Sequence, residues 1–429
     1  MEPDNITSNA PVVVLGLGPT GLGAVRSLDK SSLRDVRVIG VYESLREVGA
    51  YSRLCDERYY CEGFGSLKLI DNLIELGRKF SVRPILILTD DRSVMLVSRN
   101  RDRLGPYYDF LLPSNDVVEL LVDKTRFALY ASRNGFSVPK TWVINDRDDL
   151  EKASSQVRFP CFLKPKYRDG QWLKMVFPKG FRSENSDELM ALYEKIQSVE
   201  QHYVLQEWIQ GPDSELYFCQ VLFDNDARCI ASFTCNKLRQ WPTEAGVTSM
   251  AEPAHCTEIE RETIRLFESL QMKGLGAVEF KHDARDGRYK IMEPRIGRVG
   301  TTSETATANG VNFPELLYSY LTKKNIPKKP LRHPVRWIQE EDDVQSCLHL
   351  IRSGKLSLSE MARSYAGPKC LALFSWKDPL PLLMILLKDL RGTEWGSLWS
   401  TVGWSAKERK RSDVIGTAEF LNQRYQGAS

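Results

Sequence analysis

Two acidic residues pose the chemical question. Glu279 lies in the run GAVEF and Glu293 in YKIMEPRIGR, each among apolar neighbours: Val278 and Phe280 around the first, Ile291 and Met292 beside the second. A carboxylate in such surroundings must be compensated by a metal or a cation. Arg295 and Arg298 follow Glu293 closely, so the group is either a structural salt-bridge network or one side of a metal and phosphate site. Magnesium suits the second reading, because it takes one or two carboxylates and completes its octahedron with phosphate oxygens and water. Phosphate oxygens also call for cations from several directions. Lys124 follows an Asp cap in VDKTRFALYASRN, and Lys164 stands inside the apolar strand FPCFLKPK. A lysine is seldom buried without a partner, so Lys164 is expected to point into a cleft toward negative charge. The plainer alternatives are a snorkelling strand lysine at 164 and a surface helix lysine at 124.

A third group, NKLRQWPTEAGVTS, places Lys237 and Arg239 before an aromatic residue and a glycine-bearing loop. The planar fork of arginine matches a carboxylate or a transferring phosphoryl group; a solvated strand edge is the alternative. The loop GLGPTG carries Gly16, Gly18 and Gly21 after a strand and at a helix start, where backbone N–H groups can hold a pyrophosphate. Glu43 stands at the distance of the acidic residue that would bind a ribose there. Alone this motif is weak, and a tight strand-to-helix turn explains it as well. Five histidines show no zinc-ligand spacing, and no G-x-S-x-G elbow offers a hydrolase nucleophile.

The elements that must carry these residues are legible in outline. VVVLGLG, VRVIGVY and RPILILTD read as parallel strands of an α/β layer filling the first 110 or so residues. The segment from Asp123 is a capped amphipathic helix breaking at Asn134 and Gly135. FPCFLKPK, HYVLQEWI and GPDSELYFCQVLF follow as strands, ERETIRLFESLQ as a helix, GLGAVEFKHD and YKIMEPR as a strand and its hairpin partner, and GVNFPELLYSYL as a closing helix. YRDGQWLKMVFPKGF (167–181) is cationic and glycine-bearing, as a flap over anions would be.

At 429 residues the chain exceeds one core, so two to four domains are expected. Hydrophobic content of 42%, charge of 27% and a formal net charge of +3 describe an ordinary globular chain and point to no nucleic-acid partner. Nine cysteines without paired CxxC spacing fit a reducing cytoplasm, and MEPDNITSNAP is unlike a signal peptide. PLPLLMILL (379–387) is about half of a membrane span, which leaves only peripheral attachment open. KERKR (407–411) reads as a solvated basic face, with an acidic-lipid contact as the alternative.

Taken in order, DKTRFALYASRNGFSVPKTW, FPCFLKPK, VLQEWIQGPDSELY, GAVEF and MEPRIGR resemble the successive motifs of the ATP-grasp superfamily, in its carboxylate–amine ligase branch, whose members include D-aspartate ligase-like proteins. The resemblance covers roughly residues 11–325. It implies a Rossmann-like N-terminal α/β domain (1–112), an α+β ATP-grasp fold of two lobes (113–195 and 196–325) that bind ATP between them, and a C-terminal extension (326–429). It implies ATP and Mg²⁺, and small-molecule carboxylate and amine substrates joined through an acyl phosphate; a homodimer stays open. By resemblance Lys124 and Lys164 contact the phosphates and adenine side, Gln206, Glu207, Trp208 and Ile209 line the hinge against adenine, and Glu215 approaches the ribose or a lysine. Glu279 and Glu293 hold Mg²⁺, Arg239 takes the substrate carboxylate or acyl phosphate, and Arg298, with Arg295 beside it, the transferring phosphate. The usual Glu-x-Asn-x-Arg ending is replaced by Glu293-Pro294-Arg295, so either Glu293 bridges two ions or the site holds one. Two rivals remain: a dinucleotide-dependent oxidoreductase built on GLGPTG, and a catalytically silent ATP-binding module.

Overall fold

The computed structural model describes residues 10–29, 31, 33, 36–165, 180–198, 202–244, 246–325 and 334–390. Residues 167–179 of the expected flap, and the basic run 407–411, lie outside them. Compactness divides the chain into two units, the second formed by residues 123–211 and 281–292 with the chain end from 402, the first by the segments between.

In the first unit, β1 (Val12–Leu15), β2 (Val38–Tyr42), β3 (Glu57–Tyr60) and β4 (Ile85–Leu88) form a parallel sheet in the order β3-β2-β1-β4. The runs VVVL and ILIL are buried at every position, as central parallel strands covered on both faces must be. Gly21 opens the helix Pro19–Asp29, and only glycine fits: a Cβ there would lie 2.0 Å from the Gly16 carbonyl oxygen. Val12, Val14, Val25, Ile85, Leu222, Leu275, Phe313 and Tyr318 belong to one core that joins this sheet to the helices beside it.

The second unit carries a four-stranded antiparallel sheet. Its strands β5 (Thr141–Ile144), β6 (Cys161–Pro165), β7 (Phe181–Ser183) and β8 (Tyr203–Glu207) are ordered β5-β8-β6-β7. Period-two alternation on β6 sends Cys161 and Leu163 into the core with Ile144, Leu189 and Leu205, and leaves Phe162 and Lys164 on the other face. Asp123 caps the helix Lys124–Arg133, accepting from the N–H groups of Thr125 and Arg126 at 2.9 Å.

A mixed sheet of seven strands completes the fold: β9 (Leu216–Phe223), β10 (Cys229–Trp241), β11 (Val247–Pro253), β12 (Gly274–Asp283), β13 (Arg288–Ile296), β14 (Arg336–Ile338) and β15 (Lys369–Leu371). Their order is β13-β12-β9-β10-β11-β14-β15. The expected pairing of GLGAVEFKHD with YKIMEPR is thus present as neighbouring strands, while β10 and β11 are strands that the sequence did not announce.

A buried ion pair fastens the C-terminal part of the first unit to its beginning. Arg26 is 2% exposed and Asp378 fully buried; Arg26 Nε donates to Asp378 Oδ2 at 3.3 Å, and its Nη atoms donate to the carbonyls of Ala372 (2.7 Å) and Leu373 (2.8 Å). Ser52 Oγ and the Arg53 N–H satisfy the rest of the carboxylate at 2.8 and 3.0 Å. Removing one member of such a pair strands the other without water. Asp378→Ala is therefore expected to lower unfolding free energy by about 3–5 kcal/mol in urea titrations; a loss below about 1 kcal/mol, the scale of an exposed pair, would show the clamp to be peripheral.

Candidate functional site

Lys237 is 3% exposed on β10 and donates from Nζ to Glu279 Oε2 on β12 at 3.1 Å. Its second partner is Gln240 Oε1 at 3.2 Å, and Gln240 Nε2 in turn donates to Asp213 Oδ1 at 2.7 Å. In a regular strand residues 237 and 240 would face opposite sides. Register shifts against β11 on either side of Arg239 break the alternation, and the bulge brings Lys237 and Gln240 onto one side. Arg295 on β13 approaches the same Glu279 oxygen at 3.8 Å. Burial pushes the Glu279 carboxyl up, but Lys237 and Arg295 more than offset it and hold it below its usual value, against the repulsion of Glu293. The two glutamates singled out in the sequence therefore feel one another, as do the cations around them.

Arg298 sits just beyond. Its Nε donates to Asp91 Oδ1 at 2.5 Å and Nη2 to Oδ2 at 3.3 Å. Burial works against its charge, yet Asp91 and then Glu293 raise its pKa above the ordinary arginine value. Gly297 makes this turn: its φ is +69°, and a Cβ there would lie 2.4 Å from Leu112 Cδ2. Arg239 lies away from the cluster. Its fork is bidentate on Asp343 at 2.8 Å twice, with Ser364 Oγ at 2.9 Å, so the carboxylate expected for it is one of the protein's own.

Two glutamates of hard oxygen character, balanced by lysine and arginine, suit a divalent cation that draws its remaining ligands from phosphate and water. Among the described residues no three His, Cys, Asp or Glu side chains are grouped so as to enclose a metal.

The second unit gathers a different set. Lys164 Nζ donates to Gln206 Oε1 at 3.1 Å, and Gln206 Nε2 to Thr141 Oγ1 at 3.0 Å, across β6, β8 and β5. Phe162 packs on Trp208 with centroids 5.6 Å apart, and Arg182 and Lys281 lie over the same indole at 5.3 and 5.9 Å. The result is an aromatic and cationic face. Gly180 approaches it too closely for any side chain, its Cβ position being 2.7 Å from the Leu163 carbonyl oxygen. Glu207 is ion-paired with Arg285 at 3.1 Å, and Ile209 is buried. Lys124 is exposed on the first turn of its helix. Glu215 ends a short 3-10 turn in the first unit and is half-buried.

The glycine loop has partners of its own. Leu17 N–H donates to Glu47 Oε2 at 2.5 Å, and the N–H groups of Glu43 and Ser44 donate to Glu47 Oε1 at 2.7 and 3.1 Å. Burial pushes the Glu47 carboxyl up while these N–H groups pull it back. Glu43 accepts from the Phe64 N–H at 3.0 Å. A loop N–H and the candidate ribose acid are thus both engaged within the protein.

No family model matches the chain. It is 25% identical over 262 residues to D-aspartate ligase of Enterococcus faecium (58% of this chain, 60% of that protein). It is 23% identical over 221 residues to D-alanine–D-alanine ligase of Pseudomonas putida (48% and 64%). In each case the match spans less than two thirds of the relative. Biotin carboxylase of Campylobacter jejuni, solved as a β-γ-ATP complex, shares the fold at a TM-score of 0.58 with 15% identity, covering 76% of this chain and 75% of that one.

The chain has the fold of biotin carboxylase and is similar in sequence to these D-aspartate and D-alanine–D-alanine ligases. In this chain the sequence singled out Glu279, Glu293, Arg295 and Arg298, which the structure brings into one electrostatic neighbourhood. It did not reveal Gln240, Asp213 and Asp91, which orient the cations, or Lys281 and Arg285 in the second unit. For Lys237 the signal was present in KLRQ, but its link to Gln240 depends on a bulge that a period of two hides.

Glu279→Gln at neutral pH leaves Lys237 buried against a neutral amide, so a stability loss of about 1–3 kcal/mol is expected. The sign with pH follows from the lowered carboxyl. The ionised pair contributes above the ordinary value of 4.5, and the contribution is lost as pH falls through the lower folded-state value. The gap between wild type and variant therefore closes on acidification below that window; denaturant titrations at a series of pH values showing a constant gap would contradict the assignment.

Proposed function

We propose that the chain is an ATP-dependent carboxylate–amine ligase forming an amide or peptide-like bond, with ADP and phosphate as products. The observation that carries this reading is the buried Lys237–Glu279 pair with Glu293, Arg295 and Arg298 around it: fixed cations interleaved with two neighbouring glutamates, an arrangement suited to a metal-bound phosphate.

A carboxylate resists amine attack because its leaving group would be oxide. In the first step a substrate carboxylate oxygen forms a bond to the γ-phosphorus while the bridging P–O bond breaks, and ADP leaves with that electron pair. In the second step the amine nitrogen attacks the acyl carbon, the C–O bond to phosphate breaks, and the nitrogen loses its proton. Lys237, held by Gln240 and Asp213, and Arg298, held by Asp91, stabilise the charge spread over the transferring phosphoryl. Glu279 and Glu293 would hold Mg²⁺, which would supply Lewis-acid neutralisation of phosphate oxygens; with no asparagine after Glu293, one ion is the simpler fit. Lys164 serves a phosphate oxygen. Gln206, Trp208 and the buried Ile209 suit the base, Glu207 acts through its backbone because its carboxylate is taken by Arg285, and Glu215 suits the ribose. Arg239 fastens the sheet. Lys124 contributes long-range charge from an exposed position. The matched relatives, ligases of aspartate and alanine, support substrates of the amino-acid class.

The rival oxidoreductase reading loses support because Glu47 occupies a glycine-loop N–H. ADP release measured with Mg²⁺-ATP across pools of amino acids and amines is expected to reveal a turning-over pair. Lys164→Ala and Glu293→Ala should each lower that rate by about 100-fold or more with circular dichroism unchanged. Wild-type turnover in either folded variant would overturn the assignment, and ATP binding without ADP release from any pool would favour a silent module.

A further inference from the structure

Lys237 is buried, yet its hydrogen-bonding capacity is not used up. An ammonium group has three N–H donors, and those of Lys237 meet two acceptors, Glu279 Oε2 at 3.1 Å and Gln240 Oε1 at 3.2 Å. Among the described residues the third donor is left for a ligand, and its direction is set by the two anchors. Glu279 by itself would let the ammonium swing about a single contact; the Gln240 carbonyl removes that freedom.

The carbonyl faces Lys237 because Asp213 obliges it to. Gln240 is 2% exposed, and its amide carries an acceptor at one end and donors at the other. Turned over, it would set N–H groups against the lysine ammonium. An ionised carboxylate only accepts, and Gln240 Nε2 donates to Asp213 Oδ1 at 2.7 Å, so the oxygen end is the one turned to Lys237.

Asp213 is itself held in place. The Glu244 N–H donates to the same Oδ1 at 3.2 Å. Glu244 stands at φ +69°, a left-handed conformation that a residue with a side chain keeps only where its surroundings impose it. The short turn Asp213–Glu215 is fastened to β10 by Asn236, whose Nδ2 donates to the carbonyls of Ser214 and Leu216 at 2.7 and 3.0 Å. A line of fixed groups thus runs from a clamped turn through one amide to the lysine.

We propose that Asp213 is a positioning residue that gives the chain a preference for a nucleoside triphosphate over the diphosphate. It acts through Gln240, aiming the remaining N–H of Lys237 at the terminal phosphoryl. One premise comes from the ligase reading, that Lys237 faces that phosphoryl. Coulomb's law alone predicts the opposite effect of removing Asp213: losing an anion near a polyphosphate strengthens binding, whereas losing the aim of the lysine weakens it.

The test is calorimetry on the full chain with magnesium and a β,γ-imido ATP analogue, and with magnesium and ADP. Asp213→Ala is expected to weaken the ATP analogue by about tenfold, the scale of one hydrogen bond to a charged group, and to leave ADP unchanged. Gln240→Leu should do the same, and the double variant should lose no more than either alone, because groups acting in one line do not add. If Asp213→Ala fails to fold, Asp213→Asn keeps an oxygen for both N–H groups but not the charge that orders the amide, and a weakening of the same sign, about threefold, is expected. Unchanged or tighter binding of the ATP analogue, an equal loss for ADP, or additive losses overturns the proposal, as does a wild type that binds the analogue no better than ADP. A chain that discriminates as expected but releases no ADP with any acid and amine retains the role of Asp213 and fails as a ligase.

Discussion

A strand that buries two cations must bury their counterions with them. Lys237 and Arg239 are both nearly inaccessible on β10, and stranding either would cost several kcal/mol. The bulge between them solves this by dividing the strand into two faces. On one, Lys237 finds Glu279 and Gln240; on the other, Arg239 finds Asp343, whose carboxylate also accepts from Ser249 and Tyr365. One face keeps charge near the carboxylates of Glu279 and Glu293. The other spends it on fixing the helix Glu340–Arg352 to the sheet. Had the alternation been regular, both cations would have shared one side and competed for the same acids.

The parts of the fold visible from sequence are those governed by short-range rules. VVVL and ILIL announced covered parallel strands, Asp123 announced its helix, and GAVEF with IMEP placed two acids on neighbouring strands. The sequence marks Arg298 as a candidate phosphate cation, while its counterion Asp91 comes from the distant first helix after β4, which no local spacing reveals. Arg239 looked like Lys237 because both are cations two positions apart; only the register shift, a property of pairing with β11, tells their roles apart. The aromatic and cationic face around Trp208 was half visible, through Lys164 and the QEWI run, while Arg182 and Lys281 arrive from segments far away in the chain.

The glycine loop illustrates how a phosphate-loop pattern can serve a turn whose N–H group is satisfied from within the protein. Gly21 is demanded by the close approach of the helix to the Gly16 carbonyl, a packing reason that needs no phosphate. Glu47 then supplies the negative charge that such a turn attracts, and gathers three N–H groups to itself. The sequence pattern records the turn; it does not record who occupies it.

The clamp between Arg26 and Asp378 bears on how the molecule is made. The carbonyls of Ala372 and Leu373 and the Asp378 carboxylate that satisfy Arg26 lie 346, 347 and 352 residues further along the chain. Burying the guanidinium of the helix Pro19–Asp29 therefore waits on contacts of very long sequence separation, and the distant segment acts as the bolt of the earlier one.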